Sequence, residues 1–351
     1  MALDISQFWL SIGIDLGTVN TLVAAPGKGV LFEEPTLVAR QKKKPGSAAR
    51  VLAFGSKAKQ MLGKEPQQIE VIAPLVKGVI SDFDATVAFL EYLLGLVKQL
   101  PSKFPRLVKP RALIAVPSGS SEVERRAVRS AALSAGIGQV VLVEKAMVAA
   151  LGAGLPVEKP AGILVLDIGG GVTEISVISL GGTVLTRSLP LAGQTMDQGI
   201  VDFLRMKHGV LIGLPTAEQV KKKIGTVAVV NSGNRQLIVR GRDLASGLPK
   251  SVKISEVEVR ESLSGTFQEI ISQLVEVLEE TPPELTNDIL KRGIVLTGAC
   301  SQLPGLEKLV SESTRMPAWV AGKPETTVVQ GCVKVLTNPA LFKKIKLADR
   351  R

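Results

Sequence analysis

Short apolar runs alternate with longer amphipathic stretches along most of this chain. Residues 111–117 (RALIAVP), 139–143 (QVVLV), 162–166 (GILVL) and 293–297 (GIVLT) are apolar runs of the length that buried strands have. Two stretches with helical periodicity, ERRAVRSAALSA and EKAMVAALGAG, follow the first and the second of these apolar runs. Strands that alternate with helices predict βαβ units and a partly parallel sheet in each half of an α/β protein.

Two local signals define the ends of the first predicted helix. Ser121 and Glu124 stand in the S-x-x-E spacing of a capping box. Gly136 follows the last amphipathic residue, where glycine commonly ends a helix. The pattern therefore predicts a helix between these residues.

The second half of the chain carries weaker signals. Thr216 and Gln219 predict a second capping box, and Pro304 predicts the first turn of a helix at GLEKLV. The segments 39–76 and about 196–259 are more polar and show no clear period. We expect them to be smaller, irregular insertions on two central α/β domains, because 351 residues exceed one ordinary core.

One pattern occurs twice. Residues 12–24 read IGIDLGTVNTLVA and residues 165–178 read VLDIGGGVTEISVI, so Asp15 and Asp167 each end an apolar strand before a glycine turn. Glycine turns expose backbone N–H groups that attract anions, and an aspartate can hold a hydrated Mg²⁺ beside a phosphate. Two such turns, one per domain, predict a polyphosphate site in a cleft. Two ordinary tight hairpins are the alternative.

Composition narrows the class of protein. Aromatic residues make up 3% of the chain and hydrophobic residues 45%, so the cores must consist mainly of aliphatic side chains. Two cysteines indicate a reducing compartment, and one histidine excludes a histidine-based metal site. The net charge of +11 suits nucleotide phosphates, an anionic membrane or simply solvated loops. Specific nucleic-acid recognition is not expected, because no motif for it accompanies the charge.

The order of the motifs resembles a known family. The chain resembles the MreB family of bacterial actin-like cell-shape proteins, in the actin/Hsp70/sugar-kinase superfamily. The stretches that carry this resemblance are GIDLGTVNTLVAAPGKGV, EEPTLVA, VPSGSSEVERRAV, AALGAGLPV, LDIGGGVTEISVISLGG, SGLPK, TPPEL and GIVLTG. The resemblance implies an actin-like fold with two ribonuclease-H-like domains, each with a smaller inserted subdomain, and a nucleotide in the cleft. The implied subdomains are IA (1–38, 77–159 and 327–351), IB (39–76), IIA (160–195 and 260–326) and IIB (196–259).

The resemblance also implies ATP and Mg²⁺ as ligands. Its first phosphate loop matches Asp15, Gly17, Thr18, Val19 and Asn20, which we call the first loop. Its second matches Asp167, Gly169, Gly170, Gly171 and Thr173, the second loop, with Asp15 and Asp167 expected near Mg²⁺ through water. The family's adenosine loop has three glycines, whereas this chain has Gly298, Ala299 and Cys300, which we call the adenosine loop.

At two further positions the chain departs from the family pattern by replacing a negative charge with a positive one. Lys145, after Glu144, stands where the family has a second glutamate that resembles a water-positioning residue. Lys223, after Lys222, stands where the family has a glutamate near the ribose. With Asp167, Glu144 and Lys145 are the catalytic candidates, and the lysines predict ATP binding with slow hydrolysis. Alternatively, the lysines extend into solvent on their long stems.

The family resemblance implies peripheral attachment to the inner face of the cytoplasmic membrane. Leu107 and Val108 lie among basic residues, which suits an anionic bilayer, and Phe8, Trp9 and Leu10 are a second candidate anchor. Either apolar run could instead continue into a core strand. From the sequence we expect neither a signal peptide nor a transmembrane helix, because the first ten residues lack a basic region and no apolar run is long enough to span a bilayer.

The implied function is a polymerising cytoskeletal ATPase that helps to determine cell shape. Its expected partners are further copies of itself, the membrane surface and proteins of the cell-elongation complex. A non-hydrolysing paralogue that assembles with an intact MreB is the main alternative. A small-molecule kinase would need a further catalytic carboxylate, and an Hsp70-like chaperone would need a peptide-binding domain.

Overall fold

The chain divides into two compact units. A computed structural model describes residues 11–42, 50–100, 109–229 and 235–345. The first unit comprises Met1–Pro160, Ile178–Val184 and Glu325–Arg351, and the second comprises Ala161–Val177 and Leu185–Pro324. Each unit is therefore built from segments that are distant in the chain.

The elements follow one another in chain order. The first part of the chain contains β1 (Ser11–Leu16), β2 (Asn20–Ala25), β3 (Gly29–Pro35), β4 (Val38–Gln41), β5 (Val51–Phe54), α1 (Gly55–Met61), β6 (Ile69–Ile72), β7 (Leu75–Val76), β8 (Val79–Ile80), α2 (Phe83–Gln99), β9 (Arg111–Val116), α3 (Glu122–Ser134), β10 (Gln139–Glu144) and α4 (Lys145–Gly152). The second part contains β11 (Ile163–Ile168), β12 (Thr173–Ser179), β13 (Gly182–Leu189), α5 (Gly193–His208), β14 (Val210–Leu211), α6 (Leu214–Ile224), β15 (Gln236–Asp243), β16 (Pro249–Ser255), α7 (Glu256–Glu280), α8 (Pro283–Arg292), β17 (Ile294–Thr297), a 3₁₀ turn (Ala299–Gln302), α9 (Leu306–Thr314), β18 (Ala318–Val320), α10 (Thr327–Thr337) and α11 (Pro339–Ile345).

Two five-stranded sheets share one strand order. The first runs β10-β9-β1-β2-β3 and the second runs β13-β12-β11-β17-β18. In each, the strand with the aspartate is central, the next two strands of the chain lie on one side, and two later strands lie on the other. Those later strands are parallel to the central strand: β9 pairs with β1 and β10, and β17 pairs with β11 and β18. The repeated sequence pattern therefore corresponds to a repeated sheet topology.

Each unit has its own aliphatic core. In the first, Ile12 and Ile114 of the sheet pack with Phe89 and Leu93 of α2 in one buried cluster. In the second, a separate cluster joins strands β11, β12 and β17 to α5 and α7. Because the strands are buried on both faces, they are nearly continuous apolar runs rather than alternating ones.

Glycines allow α4 and α10 to cross at close range in the first unit. A Cβ on Gly331 would lie 1.8 Å from the carbonyl oxygen of Val148, and a Cβ on Gly152 would lie 1.8 Å from that of Thr327. Each helix thus presents a glycine to the backbone of the other. The contact fixes the C-terminal part of the chain against the helix that follows β10.

Most predicted elements are present. All four apolar runs form strands, at β9, β10, β11 and β17. The helix after the first run begins with a complete capping box between Ser121 and Glu124, as predicted, and ends just before Gly136, which has φ 97°.

Two predicted helix starts are wrong. Helix α6 begins at Leu214, not after Thr216, because Gly213 is its N-cap and Pro215 occupies its first turn. Helix α9 begins at Leu306, after Gly305 in a left-handed conformation, so Pro304 precedes the cap instead of lying inside the helix.

The segments expected to be irregular contain regular structure. Strands β4, β5 and β6 form a three-stranded sheet beside α1, and β14, β15 and β16 form another in the second unit. Strands β4, β5 and β6 have four residues each, which is too few to show a period, and the exposed Ile238 interrupts the alternation along β15. The division into four subdomains stays a prediction.

Candidate functional site

The first loop lies at the carboxyl end of the central strand β1. Asp15 is buried at the strand end, and the Gly17 N–H donates to its carbonyl oxygen over 3.1 Å. A Cβ on Gly17 would lie only 2.3 Å from the carbonyl oxygen of Asn20. The turn therefore requires glycine at this position.

Polar contacts hold the rest of the first loop. The Thr18 hydroxyl accepts a hydrogen bond from the Gly78 N–H at 2.9 Å, and the Val19 carbonyl accepts one from the Thr36 N–H at 2.8 Å. The Asn20 amide donates to Glu33. These contacts orient the loop before any ligand binds.

Glu144 and Lys145 lie at the same edge of the first sheet as Asp15. Asp15 of β1 and Val143 of β10 are both in register with Ala115 of the strand between them. The two strand ends are therefore about 10 Å apart, two strand spacings. Glu144 accepts a hydrogen bond from the Thr183 hydroxyl, and the half-buried Lys145 begins α4.

The second loop lies at the equivalent position in the second sheet. Asp167 is 1% exposed and accepts a hydrogen bond from the Thr297 hydroxyl of the adjacent strand β17 at 2.9 Å. The Gly169 N–H closes the turn on the Val172 carbonyl at 3.0 Å. The Thr173 hydroxyl donates a hydrogen bond to the Leu191 carbonyl at 2.5 Å, which ties the end of the second loop to the segment before α5.

The adenosine loop begins beside Asp167. Gly298 has φ 83°, and a Cβ there would lie 2.4 Å from the Ile168 carbonyl oxygen and 2.9 Å from Oδ1 of Asp167. Ala299 and Cys300 then form the 3₁₀ turn. Burial raises the pKa of the Cys300 thiol, so this cysteine is a neutral packing group.

A buried ion pair, which the sequence analysis missed, adjoins the second loop. Lys221 is 7% exposed, and its Nζ lies 2.7 Å from the Gly193 carbonyl oxygen and 2.8 Å from Oδ1 of Asp197. Burial raises the pKa of Asp197, and the Lys221 ammonium opposes that rise. The helix period contained the signal, because Ala217, Val220 and Ile224 are buried and Lys221 falls on their face.

Helix α5 connects this ion pair to the second loop. The Gly193 N–H donates to the Gly169 carbonyl at 3.1 Å, and the Gln194 N–H donates to the Gly170 carbonyl at 2.7 Å. The N-terminal turn of α5 therefore uses its free N–H groups to hold two loop glycines. Gly171 completes the turn between them and β12.

The two lysines predicted on the ribose side lie on the exposed face of α6. Lys222 pairs with Glu218 at 2.7 Å one helical turn earlier, and Lys223 is exposed. Only the first lysine of the KKKIG segment faces the loops. Contact of Lys222 or Lys223 with a nucleotide stays a prediction.

The membrane candidates lie outside the described residues. This applies to Phe8, Trp9 and Leu10 and to Leu107 and Val108. Among the helices that the structure describes, none combines the length and the hydrophobicity needed to cross a bilayer.

Comparison with known proteins places the chain in a family. The family model described as "MreB/Mbl protein" matches residues 10–344. The cell shape-determining protein MreB of Escherichia coli (strain K12) is 43% identical over 330 residues, which cover 94% of each chain. The cell shape-determining protein Mbl of Bacillus subtilis (strain 168) is 40% identical over 97% of this chain and 100% of the relative.

Solved structures show the same fold. MreB5 of Spiroplasma citri bound to ADP is 36% identical, covers 95% of this chain and 98% of its own, and superposes with a TM-score of 0.88. The structure of the same protein bound to AMPPNP superposes with a TM-score of 0.86. The fold, with two sheets of equal topology and a glycine loop on each, is that of the actin-like proteins. Within that class, the chain belongs to the MreB/Mbl family.

Proposed function

We propose that this protein binds ATP with Mg²⁺, polymerises into filaments and contributes to bacterial cell shape. The observation that carries the proposal is the Asp-Gly loop found at the central strand of both five-stranded sheets in a member of the MreB/Mbl family. The ADP-bound and AMPPNP-bound structures of the related MreB5 support nucleotide binding.

The loops have the properties that a phosphate ligand needs. A Cβ on Gly17 would clash with the backbone of Asn20, so only glycine allows the tight turn of the first loop. Backbone N–H groups of such turns attract anions without adding a charged side chain. We therefore assign Gly17, Thr18, Val19 and Asn20, together with Gly169, Gly170 and Gly171, to the phosphates.

The donor set also fits Mg²⁺. Across the ranges that the structure describes, no three acidic, histidine or cysteine side chains cluster tightly enough to hold a metal ion alone. Mg²⁺ instead commonly keeps several waters and binds one or two carboxylates together with phosphate oxygens. Asp15 and Asp167 would supply those carboxylates, and the ion would neutralise phosphate charge.

Labelled ATP provides the first test. We expect saturable binding by the wild type, a large loss with Asp167→Ala, and no change with the control Asp202→Asn, which lies on α5 away from the loops. A wild type that binds no ATP would favour the alternative of a nucleotide-free structural paralogue.

Polymerisation is the second part of the proposal. Actin-like protomers associate head to tail, a heterologous contact that does not close into a ring and therefore produces filaments. We expect the purified protein to sediment as filaments with ATP or a non-hydrolysable analogue, and less readily without nucleotide. A monodisperse monomer at high concentration under every nucleotide condition would contradict this part and favour a small-molecule kinase.

Slow hydrolysis is the third part. Lys145 lies at the sheet edge that carries the first loop, and the carboxylate of its neighbour Glu144 already accepts a hydrogen bond from Thr183. The family resemblance puts Lys145 in place of a glutamate that would orient the attacking water, so we expect slow hydrolysis.

A further inference from the structure

We propose that Lys221 is a positioning residue that holds the second loop in its ligand-binding geometry through the Gly193 peptide. The inference rests on the proposed nucleotide function and goes beyond it, because Lys221 acts through α5. Phosphate binding by the glycine loops does not by itself require a buried lysine on α6.

The hydrogen bonds form a short chain from the ammonium to the loop. Lys221 Nζ donates to the Gly193 carbonyl at 2.7 Å, and the N–H of the same Gly193 donates to the Gly169 carbonyl at 3.1 Å. The next N–H, that of Gln194, donates to Gly170. Displacement of the first turn of α5 would therefore move two glycines of the second loop.

The same ammonium also lies close to the adenosine loop. A Cβ built on Gly193 would be 3.0 Å from Sγ of Cys300 and 3.2 Å from Nζ of Lys221. Both groups thus pack against the bare α-carbon of Gly193. Lys221 joins α5, α6, the second loop and the adenosine loop at one point.

Asp197 explains how the lysine can be buried. A buried charge is tolerated when it is paired and hydrogen-bonded, and the Asp197 carboxylate lies 2.8 Å from Nζ. Loss of Lys221 alone would leave that carboxylate buried without its counter-charge. A single substitution would therefore confuse a structural effect with a positioning effect.

A set of four variants separates the two effects. Lys221→Met removes the ammonium, Asp197→Asn removes the buried negative charge, and the double variant removes both. Lys308→Met is the matched control, because Lys308 lies on the exposed face of α9 and pairs only loosely with Glu312, at 3.9 Å. Thermal unfolding and titration with a fluorescent ATP analogue are measured for each.

We expect Lys221→Met to lower the melting temperature and to raise the Kd for the ATP analogue about tenfold, typical of removing a group that orients a binding residue. The double variant should recover the melting temperature and keep the raised Kd. Full recovery of both by the double variant, or an unchanged Kd in Lys221→Met, would overturn the proposal. Wild-type protein that binds no nucleotide would instead count against the proposed function.

Amide hydrogen exchange tests the positioning without any nucleotide. Peptides that contain Gly169, Gly170, Gly193 and Gln194 should exchange faster in the double variant than in wild type or Lys308→Met. Equal exchange in all three would show that the second loop does not depend on Lys221 and would overturn the proposal.

Discussion

Lys145 is the residue on which the proposed slow hydrolysis depends. It follows β10, at the carboxyl edge of a sheet, where α/β proteins place their ligands. An ammonium group has three donors and no acceptor, so it cannot accept a hydrogen bond from an attacking water. It can pair with the γ-phosphate and stabilise the ground state, which tightens binding without lowering the barrier.

Substitution of Lys145 should change the rate of phosphate release. Loss of a positioned base typically lowers a rate by about 10²–10⁴-fold, so we expect Lys145→Glu to hydrolyse ATP at least about tenfold faster than wild type. Lys145→Ala should stay slower than Lys145→Glu, and Lys308→Glu should match wild type. If Lys145→Glu is no faster, the role assigned to Lys145 is wrong.

Glu258 predicts a pH dependence of stability. Burial alone would raise its pKa, but hydrogen bonds from the N–H and hydroxyl of Ser255 and from His208 bring it below the ordinary value of 4.5. A carboxyl whose pKa is lower in the folded state stabilises the protein above its unfolded pKa, and this contribution disappears as the pH falls through the folded value.

Glu258→Gln should therefore unfold at lower urea than wild type near neutral pH, with a difference that shrinks as the pH falls below 4.5. Glu261→Gln is the control, because Glu261 is 61% exposed and its ion pair with Lys207 lies at the surface. We expect its small effect to vary much less with pH. A Glu258→Gln difference that stays constant down to the acid limit would contradict the assignment.

The crossing of α4 and α10 is the element pair most sensitive to a single methyl group. At Gly152 and at Gly331 an added Cβ would meet a backbone oxygen of the facing helix at 1.8 Å, and neither helix can yield without moving its backbone. Overpacking of this kind typically costs about 1–3 kcal/mol and occasionally more.

We expect Gly331→Ala to lower the free energy of unfolding by about 3 kcal/mol in urea denaturation. Gly95→Ala is the control, and we expect it to change the free energy of unfolding in the opposite direction. Gly95 lies inside helix α2 with nothing within 4 Å of its Cβ position, so alanine should stabilise that helix by about 0.5–1 kcal/mol. Equal effects of the two substitutions would show that the close approach does not determine stability.

At the level of the whole molecule, the membrane attachment that the sequence predicts would depend on basic and apolar residues acting together. Each basic residue near an anionic surface contributes about 1 kcal/mol, and this attraction weakens with salt. In the sequence, four basic residues flank Leu107 and Val108, namely Lys103, Arg106, Lys109 and Arg111. In the structure, Arg111 is the first residue of β9, and its Cζ lies 4.2 Å from the centroid of the Phe342 ring. We therefore do not include Arg111 among the basic residues that would contact a membrane.

Flotation with anionic liposomes should recover the wild type and much less of the variant Leu107→Ser with Val108→Ser. The pair Val76→Ser and Val79→Ser, at exposed apolar positions of β7 and β8, should float like wild type. Binding of the first variant equal to wild type would exclude 107 and 108 as the anchor and leave Phe8, Trp9 and Leu10 as the candidate.

The sequence by itself determined the four strands formed by apolar runs, the duplicated Asp-Gly loops and the family, because apolar runs and glycine turns are local signals. It also determined the capping box at Ser121, where both partners lie within one turn. It failed at Thr216 and Pro304, because Gly213 and Gly305 are the residues that cap these two helices.

Only the tertiary structure decided which charges are buried and which backbones touch. The period of α6 places Lys221 on the face of Ala217, Val220 and Ile224, but only the packing of α6 on α5 brings its Nζ to the Gly193 carbonyl. Likewise, nothing local distinguishes Gly331 from Gly95, since both lie inside helices. The difference arises because Gly331 meets the backbone of a helix from a distant part of the chain, and such contacts follow from the fold as a whole.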